Sequence, residues 1–354
     1  MTLAPRSLAE LQEAVAGSAP APLAVHGGAT KWRPGRAEAA TLDTRGLTGV
    51  VAYDPAECVI TALAGTPVRE LDELLAAHGQ YLPFDPLFAQ AGATLGGTVA
   101  AAASGPGRYR YGGVRDFVIG AAVVDGSGQL VRSGGQVVKN AAGFLLHHGL
   151  VGSAGRYGVV GEVSLKVFPA AEARATVQLR CGNLAAALDS QRRVRQAVHD
   201  LDALDVDLSG HVLWARLAGA TAALPARLDA VCRLLGDAAE VIDGADDQRL
   251  WHDAVECRWA PADATIVKIP ATLGGLAELA AALADLGAVR ATSGGAAVWL
   301  ATTASIDTVA ARLPAAARAM IVRGAGCGRV LGRPLGNVFD ERVRRTLDPA
   351  GRFS

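Results

Sequence analysis

The residues of this chain that most strongly suggest a ligand site are its clustered glycines. From Ala91 to Gly161 they separate short apolar runs such as Phe117–Ile119 and Val159–Val160. A disordered linker would lack such runs. Glycine between strands supplies positive φ angles and lets the backbone approach a ligand closely. The stretch therefore predicts a backbone-lined site for a large cofactor that carries phosphate.

A second glycine turn lies nearer the N-terminus. The apolar run Pro22–Val25 leads into the sequence HGGATK at His26–Lys31. A turn of this kind after a strand presents consecutive backbone N–H groups, which can surround phosphate oxygens. Taken alone, the motif is explained equally well as a plain turn.

The elements that must position these turns change character near Pro169. Before it, short strands dominate, with a hairpin predicted over Val123–Val131 and a short helix that Thr94 is expected to cap. After it, longer helices are predicted at Leu184–Val198, Thr221–Leu235 and Leu273–Leu286. Strand candidates alternate with them at Thr176–Leu179, His211–Leu217, Ala264–Ile269, Ala296–Ala301 and Ala319–Val322. The mixture predicts layers of helices and strands.

Composition excludes several classes of function. Lys+Arg and Asp+Glu each number 34, whereas a nucleic-acid-binding protein usually has a basic excess. The five cysteines form no CxxC motif, so no zinc ribbon or ferredoxin-type iron–sulfur cluster is expected, and no other metal site is predicted. Scattered thiols suit a reducing cytoplasm. No secretion signal or membrane-spanning run is predicted.

A set of motifs in a fixed order resembles a known family. The motifs are HGGATK (His26–Lys31), ATLGG (Ala93–Gly97), SGPGRYRYGGVRD (Ser104–Asp116), VVKNAAGF (Val137–Phe144) and GSAGRYGVV (Gly152–Val160). Together they resemble FAD-binding proteins of the vanillyl-alcohol-oxidase, or PCMH, type. Within that group the sequences of the motifs are most similar to those of the FAD-binding E subunits of bacterial glycolate oxidase. The resemblance covers residues 1–170, is faint beyond them and returns at DPAGRF near the end.

The resemblance implies an α+β fold. It places a PCMH-type FAD-binding domain, built of two α+β subdomains, at residues 1–169 and an α/β cap domain at residues 170–325. A C-terminal segment, residues 326–354, would return to the FAD-binding domain.

The resemblance also implies which residues contact FAD. The first loop would hold the pyrophosphate through main-chain N–H groups, and the later motifs would line the ribityl chain, the adenosine and the flavin. The implied FAD-binding residues are His26, Gly27, Gly28, Ala29, Thr30, Lys31, Thr94, Gly96, Gly97, Ser104, Gly113, Val114, Asp116, Gly152, Ser153, Gly155, Gly158 and Val160.

One departure from the family pattern bears on how FAD is held. Relatives that attach FAD covalently commonly carry a histidine directly after the Gly-Gly pair of the first loop. Ala29 stands at that position, and His26 precedes the pair. We therefore expect FAD to be bound non-covalently.

Catalytic residues are harder to assign. Related D-2-hydroxyacid dehydrogenases carry a C-terminal HxGDGN-like motif, which this sequence lacks. Oxidation of a 2-hydroxyacid needs a base for the hydroxyl proton and a cation for the carboxylate. His147, His252 and Lys268 are candidates for these roles. Each is also explained structurally, since a histidine at a helix end suits the helix dipole and Lys268 by alternation faces solvent as readily as flavin.

Three functions stay open at this point. The favoured one is the FAD-binding subunit of a glycolate oxidase, or dehydrogenase, complex that oxidises glycolate to glyoxylate. Its partners would be a larger FAD subunit and an iron–sulfur subunit, with electrons passing to a partner or a quinone. The complex would be cytoplasmic, associated peripherally with the inner face of the membrane through those partners. The alternatives are a stand-alone FAD dehydrogenase for another alcohol or hydroxyacid, and a non-catalytic flavin-bearing assembly subunit.

Overall fold

The computed structural model of the chain describes residues 2–17, 22–31, 39–135, 145–332 and 338–353. The motif at Val137–Phe144 lies outside these residues. In chain order the β-strands are β1 (Thr2–Leu3), β2 (Leu23–His26), β3 (Ala40–Asp43), β4 (Val50–Asp54), β5 (Val59–Leu63), β6 (Gln80–Tyr81), β7 (Val118–Val124), β8 (Leu130–Gly134), β9 (Val159–Lys166), β10 (Phe168–Pro169), β11 (Ala173–Arg180), β12 (Ala203–Asp207), β13 (Val212–Gly219), β14 (Ala239–Asp243), β15 (Thr265–Pro270), β16 (Gly287–Thr292), β17 (Ala297–Thr302), β18 (Arg318–Arg323) and β19 (Val330–Gly332).

The helices share the chain with these strands. They are α1 (Leu8–Gly17), α2 (Val68–Ala76), α3 (Leu95–Ala100), α4 (Arg108–Tyr111), α5 (Leu146–Leu150), α6 (Leu184–Ala197), α7 (Leu224–Leu235), α8 (Gly244–Val255), α9 (Leu276–Leu283), α10 (Ile306–Arg312) and α11 (Val338–Leu347).

The chain divides into two compact units. The first comprises Met1–Ser104, Gly113–Ala170 and Leu335–Ser354, and the second comprises Gly105–Gly112 and Ala171–Pro334. The short excursion Gly105–Gly112 comes from the middle of the motif at Ser104–Asp116, so one motif contributes residues to both units.

The first unit contains two larger sheets. Strands β1, β3 and β2 form a parallel sheet in that order, and β4, β5, β9, β7 and β8 form an antiparallel sheet. Strand β7, between β9 and β8, is a continuous apolar run because side chains on both of its faces are buried. Helix α1 buries Leu11 and Val15 against Leu23 of β2 and Leu42 of β3. Amphipathic spacing on α1 thus builds the smaller core of this unit.

The hairpin predicted at Val123–Val131 is confirmed. Strands β7 and β8 pair antiparallel, with Val123 opposite Val131. At the turn, Asp125 Oδ1 accepts hydrogen bonds from the backbone N–H of Ser127 at 2.9 Å and of Gln129 at 3.0 Å. Gly128 supplies the positive φ that closes the turn.

The C-terminal DPAGRF segment is anchored within the first unit. Asp348 Oδ1 accepts from the N–H of Arg352 at 2.8 Å, and Asp348 Oδ2 accepts from the N–H of Phe353 at 2.9 Å. The carbonyl of Arg352 accepts from the N–H of Leu23 at 2.7 Å. The Phe353 ring is buried in the core beside Leu11. The segment therefore completes that core.

The second unit is built on a nine-stranded sheet in the order β14-β11-β13-β12-β16-β17-β15-β18-β19. All its pairings are antiparallel. An α/β cap was expected. Strands and helices do alternate along the chain in this unit, but its sheet is antiparallel and not parallel. The predicted strands and helices of this region are present, and the sequence prediction missed β12, β14, β16, β19, α8 and α10.

The two faces of this sheet differ in chemistry. One face packs apolar side chains against α6, α7 and α9. The alternate positions carry polar and charged side chains that are buried or half-buried, namely Thr176, Asp205, Arg216, Lys268 and Arg290. The period of two along each strand separates these sets.

A buried ion pair holds α8 on the polar face. Asp247 accepts from the Thr176 hydroxyl at 2.6 Å and from Arg216 Nη2 at 2.9 Å, and Trp251 Nε1 donates to the same hydroxyl at 2.8 Å. Asp247 and Trp251 lie four residues apart, so both project from one face of α8.

We expect Asp247→Ala to lower the free energy of unfolding by about 3–5 kcal/mol, because it leaves the Arg216 guanidinium buried without its carboxylate. Urea denaturation of the full chain measures this. The neighbouring Asp246 pairs with Arg249 in an exposed position, so Asp246→Ala is the matched control, with a change within about 1 kcal/mol. Equal effects of the two substitutions would contradict the assignment.

Candidate functional site

A cleft in the first unit brings the predicted glycine loops together. Its empty volume, including the solvent at its mouth, is about 630 Å³. We call it the first cleft. It is lined by Val25, Gly27, Gly28, Ala29, Thr30, Lys31, Thr44, Thr94, Gly96, Gly97, Ala100, Ala101, Ala154 and Val160.

The first wall of this cleft is the loop that follows β2. The Thr44 hydroxyl donates to the carbonyl of His26 at 3.0 Å and fixes the end of the strand. Ala29 then adopts a φ of 51° in the left-handed region. The amides of Ala29 and Thr30 have no hydrogen-bond acceptor among the residues that the structure describes. Two consecutive amides at such a turn can donate to the oxygens of an anion.

The glycines of this loop are required by its packing. A Cβ on Gly28 would lie 1.8 Å from the carbonyl oxygen of Gly92, and a Cβ on Gly27 would lie 2.4 Å from Thr94 Oγ1. Neither position has room for a side chain. The two loops therefore approach each other backbone to backbone, which only glycine permits.

Thr94 links the first loop to the second. It is the N-cap of α3, as predicted, and its Oγ1 accepts from the N–H groups of Gly97 and Gly28, each at 3.4 Å. A Cβ on Gly96 would lie 2.7 Å from the Cβ of Ala64. The small residues of ATLGG therefore let α3 pack closely beneath the cleft.

Lys31 places a positive charge in the wall of the cleft. Its side chain is 5% exposed. Lys31 Nζ donates to the carbonyl of Leu87 at 3.0 Å and lies 5.7 Å from the centre of the Phe88 ring. No acidic side chain is among the described residues that line the cleft. The electrostatics therefore suit an anionic ligand.

The loop at Gly152–Gly155 closes another side of the cleft. The N–H of Gly152 donates to the carbonyl of Val99 at 3.0 Å, and the N–H of Ala154 donates to that of Ala100 at 2.9 Å. These bonds dock the loop on α3. They bring Ala154, with a φ of 55°, to the cleft wall.

The structure brings together part of the predicted FAD-binding set. The predicted residues that line the first cleft are Gly27, Gly28, Ala29, Thr30, Lys31, Thr94, Gly96, Gly97 and Val160. The predicted residues that do not line it are His26, Ser104, Gly113, Val114, Asp116, Gly152, Ser153, Gly155 and Gly158.

Several of the residues outside the cleft hold the backbone in place. Ser104 Oγ accepts from the N–H of Val114 at 3.0 Å, and Asp116 Oδ2 accepts from the N–H of Gly113 at 2.8 Å. A Cβ on Gly158 would lie 2.7 Å from the carbonyl oxygen of Val124. Their observed contacts shape turns, and a direct contact with FAD stays a prediction for them.

Sequence reasoning missed five residues that line the cleft: Val25, Thr44, Ala100, Ala101 and Ala154. Ala100 is the last residue of the helix that begins in ATLGG, and Ala101 is its C-cap, so helical spacing could have found both. Ala154 lies inside a motif that was singled out for its glycines. Thr44 lies at the end of a neighbouring strand, and nothing local marks it.

The candidate catalytic residues do not form one constellation within a unit. His147 belongs to the first unit, whereas His252 and Lys268 belong to the second. His147 is buried, and its Nδ1 lies 3.0 Å from Ser133 Oγ. Burial, and after it the neighbouring His148, lowers the pKa of His147, which favours the neutral imidazole. His252 is half-buried on α8, and Lys268 Nζ lies 5.7 Å from the centre of the Trp299 ring. A catalytic role for any of them stays a prediction.

Comparison with known proteins decides the family. The chain is 33% identical over 342 residues to the glycolate oxidase subunit GlcE of Escherichia coli, an alignment that spans 94% of this chain and 91% of that protein. The chain belongs to the GlcE family of glycolate oxidase subunits. The model of an FAD binding domain matches residues 1–134. FAD is therefore the cofactor and the family is one of FAD-dependent oxidoreductases, as predicted.

Other relatives match over shorter lengths. The mitochondrial D-lactate dehydrogenase [cytochrome] 1 of Saccharomyces cerevisiae is 35% identical over 133 residues, 37% of this chain and 22% of that protein. The glycolate oxidase subunit GlcD of Bacillus subtilis is 30% identical over 141 residues, 40% of this chain and 30% of that protein.

Solved structures establish the fold. Alkyldihydroxyacetonephosphate synthase superposes with a TM-score of 0.71 at 16% identity, covering 99% of this chain and 75% of that chain. The Bermuda grass isoallergen BG60 superposes with a TM-score of 0.70 at 16% identity, covering 100% and 89%. At this identity the likeness concerns the fold alone. It confirms the predicted fold class.

The residues of the first cleft fit FAD. A pyrophosphate needs hydrogen-bond donors that approach closely, and the cleft offers the amides of Ala29 and Thr30 beside the Lys31 ammonium. The glycines at 27 and 28 keep the wall free of side chains. Within the described part of the chain, no helix has the length and apolar character needed to span a membrane.

We expect Gly28→Ala to lower the flavin content of the purified chain severalfold and to destabilise it by about 1–3 kcal/mol, because the new methyl group must push the Gly92 carbonyl away. The ratio of visible flavin absorbance to protein absorbance measures the first effect, and thermal unfolding measures the second. A Cβ on Gly17 would meet no atom within 4 Å, so Gly17→Ala is the control. A Gly28→Ala variant with full flavin content would contradict the packing argument.

Proposed function

We propose that this chain is the FAD-binding subunit of a glycolate oxidase complex that oxidises glycolate to glyoxylate. The observation that carries the proposal is the extent of the similarity to GlcE, which spans 91% of that protein. The similarity to a D-lactate dehydrogenase spans only 22% of the relative. A chain related along nearly its whole length to a subunit is best explained as that subunit.

The first unit would then correspond to the FAD-binding domain predicted at residues 1–169, and the second to the cap predicted at residues 170–325. In the first cleft, Ala29 and Thr30 would donate their amides to the pyrophosphate, and Lys31 would add a compensating charge. Thr94 would position the amide of Gly97 by holding it to the first loop. The loop at Gly152–Gly155 would complete the wall through Ala154.

Oxidation of glycolate to glyoxylate removes two electrons and two protons. FAD, when bound, supplies the group that accepts the electrons. This chain lacks the HxGDGN-like motif that helps build the substrate site in relatives. We therefore assign the reaction with glycolate to a larger flavin subunit. The residues of this chain would hold FAD, exclude water from its phosphates, and keep it in place for electron transfer or assembly.

The partners follow from what this chain lacks. The sequence has no CxxC motif that would hold an iron–sulfur cluster, so a separate iron–sulfur subunit or a quinone would receive the electrons. The larger subunit would resemble GlcD, which is 30% identical to this chain over 141 residues. Transfer to a quinone would place the complex at the inner face of the membrane, held there through its partners.

The test is a comparison of the chain alone with the reconstituted complex. The purified chain should show a flavin spectrum that anaerobic glycolate does not bleach, because the chain lacks the substrate motif. Addition of the larger flavin subunit and the iron–sulfur subunit should give glycolate-dependent reduction of an acceptor dye, and omission of this chain should abolish it. Rapid bleaching of the chain alone would favour a stand-alone dehydrogenase. Full activity without the chain would refute the proposal.

The mode of FAD attachment has its own test. Because an alanine methyl group at position 29 cannot bond to a flavin, acid precipitation should release all the flavin into the supernatant. Absorbance of the supernatant and of the redissolved pellet measures the partition. A pellet that keeps its flavin after repeated washing would show a covalent link at another residue.

A further inference from the structure

The second unit contains a cleft of its own. We call it the second cleft; its empty volume is about 820 Å³, including the solvent at its mouth. Its lining includes Arg108, Tyr109, Arg195, Thr272, Leu273 and Ser293, all of which belong to the second unit. It shares no lining residue with the first cleft.

Two arginines give this cleft its charge. Arg108 lies on α4 and Arg195 on α6, and the guanidinium group of neither forms an ion pair or a hydrogen bond with any residue that the structure describes. The other arginines of α6 differ, since Arg192 pairs with Asp189 and Arg193 donates to the carbonyl of Leu234. No acidic side chain is among the described residues that line the second cleft. Two guanidinium groups thus remain available to an anion.

A third positive charge lies near this pair. Burial, and after it the charge of Arg108, lowers the pKa of Lys268 to about 8. Burial raises the pKa of Tyr109, while the nearby Arg195 lowers it. Burial is the larger cause for both groups, and the smaller contributions of the arginines arise because Arg108 lies near Lys268 and Arg195 near Tyr109. The cleft therefore concentrates positive charge beside a phenol hydroxyl.

The floor of the cleft is an unusual turn. Ser293, Gly294 and Gly295 have consecutive φ angles of 53°, 66° and 91°. Glycine adopts such φ angles readily, so only Ser293 is strained here; strained residues of this kind are often found at functional sites. The turn is held by Asp205, which is fully buried, accepts from the N–H of Ser293 at 3.1 Å and pairs with Arg290 at 3.2 Å.

Side chains pack tightly on that turn. A Cβ on Gly294 would lie 2.3 Å from the Tyr109 ring, so glycine lets this ring form a wall of the cleft. Gln191 lies on the other side and is 1% exposed. Its Nε2 has no hydrogen-bond partner among the described residues and would lie 3.6 Å from a Cβ on Gly295. A buried donor without an acceptor costs free energy, and Gln191 lies behind the turn, outside the residues that line the cleft.

The remaining walls are apolar. Leu273, Ala271 and Ala296 line the cleft together with the Tyr109 ring. Guanidinium groups bind carboxylate and phosphate oxygens in the same forked geometry. Apolar walls beside them favour an anion with a carbon body over an inorganic one.

We propose that the second cleft binds a short organic carboxylate, whose anionic group pairs with the guanidinium groups of Arg108 and Arg195. The hydroxyls of Tyr109 and Ser293 supply further polar contacts, and Leu273 contacts the carbon body. This site goes beyond the proposed function, because it lies in the unit without the first cleft and needs no flavin chemistry.

Isothermal titration of the full, flavin-loaded chain at low ionic strength tests the site, with glycolate as the probe and its neutral analogue glycolamide as the control. Glycolate should bind and glycolamide should not. Arg108→Gln and Arg195→Gln should each weaken glycolate binding about tenfold or more, since each removes a charge-assisted hydrogen bond. The matched control is Arg192→Gln on the same helix. Arg192 pairs with Asp189 in an exposed position and does not line the second cleft, so this variant should bind glycolate as the wild type does.

The outcomes are distinct from those for the proposed function. The flavin spectrum and thermal unfolding midpoint of each variant should equal those of the wild type, which separates loss of the site from loss of the fold or of FAD. Arg195→Lys should bind with intermediate strength, because it keeps the charge and loses the fork. No glycolate binding to the wild type, or equal binding by Arg108→Gln, Arg195→Gln and the wild type, would overturn the proposal. Inorganic phosphate that binds as tightly as glycolate would overturn the assignment to carboxylates.

Discussion

The close contact between two glycine loops is the constraint on which the first cleft depends. The carbonyl of Gly92 lies where a side chain on Gly28 would be, and Thr94 Oγ1 accepts from the N–H groups of Gly28 and Gly97. This contact sets the spacing of the walls, because two backbones without side chains approach more closely than any other pair. The glycines that suggest ligand binding in the sequence therefore act first on each other. The ligand site results from that packing.

The main constraint on the second unit is the burial of charged groups. Its sheet has one apolar face, which helices cover, and one face of buried polar groups. Buried charges on that face are tolerated because they are paired, as in Arg216 with Asp247 and Arg290 with Asp205. Where that pairing reaches the turn at Ser293, it holds strained backbone beside unpaired surface arginines. The buried carboxylate of Asp205 thus contacts both a core arginine and the backbone of the candidate ligand site.

Membership of the GlcE family and the FAD cofactor follow from similarity along the chain and from the domain match. The assignment of individual contacts to FAD rests on the geometry of the first cleft. The division of labour within a complex rests on what the sequence lacks. A preserved cofactor site and a separate carboxylate site in one chain would suit a subunit that holds a flavin beside a partner that does the oxidation.

Local features could be predicted because local chemistry decides them. The sequence by itself determined the hairpin around Asp125, the cap at Thr94 and the principal strands and helices of the second unit, since turn residues, capping hydroxyls and period-two patterns act within a few residues. It also indicated the cofactor, through the resemblance of its ordered motifs to an FAD-binding family. Only the tertiary structure decided that Ser104 and Asp116 hold turns, that Thr44 and Ala154 line the first cleft, and that Arg108 joins Arg195 in the second. These outcomes depend on which distant backbones meet, and that depends on the packing of the whole chain, which no single segment encodes.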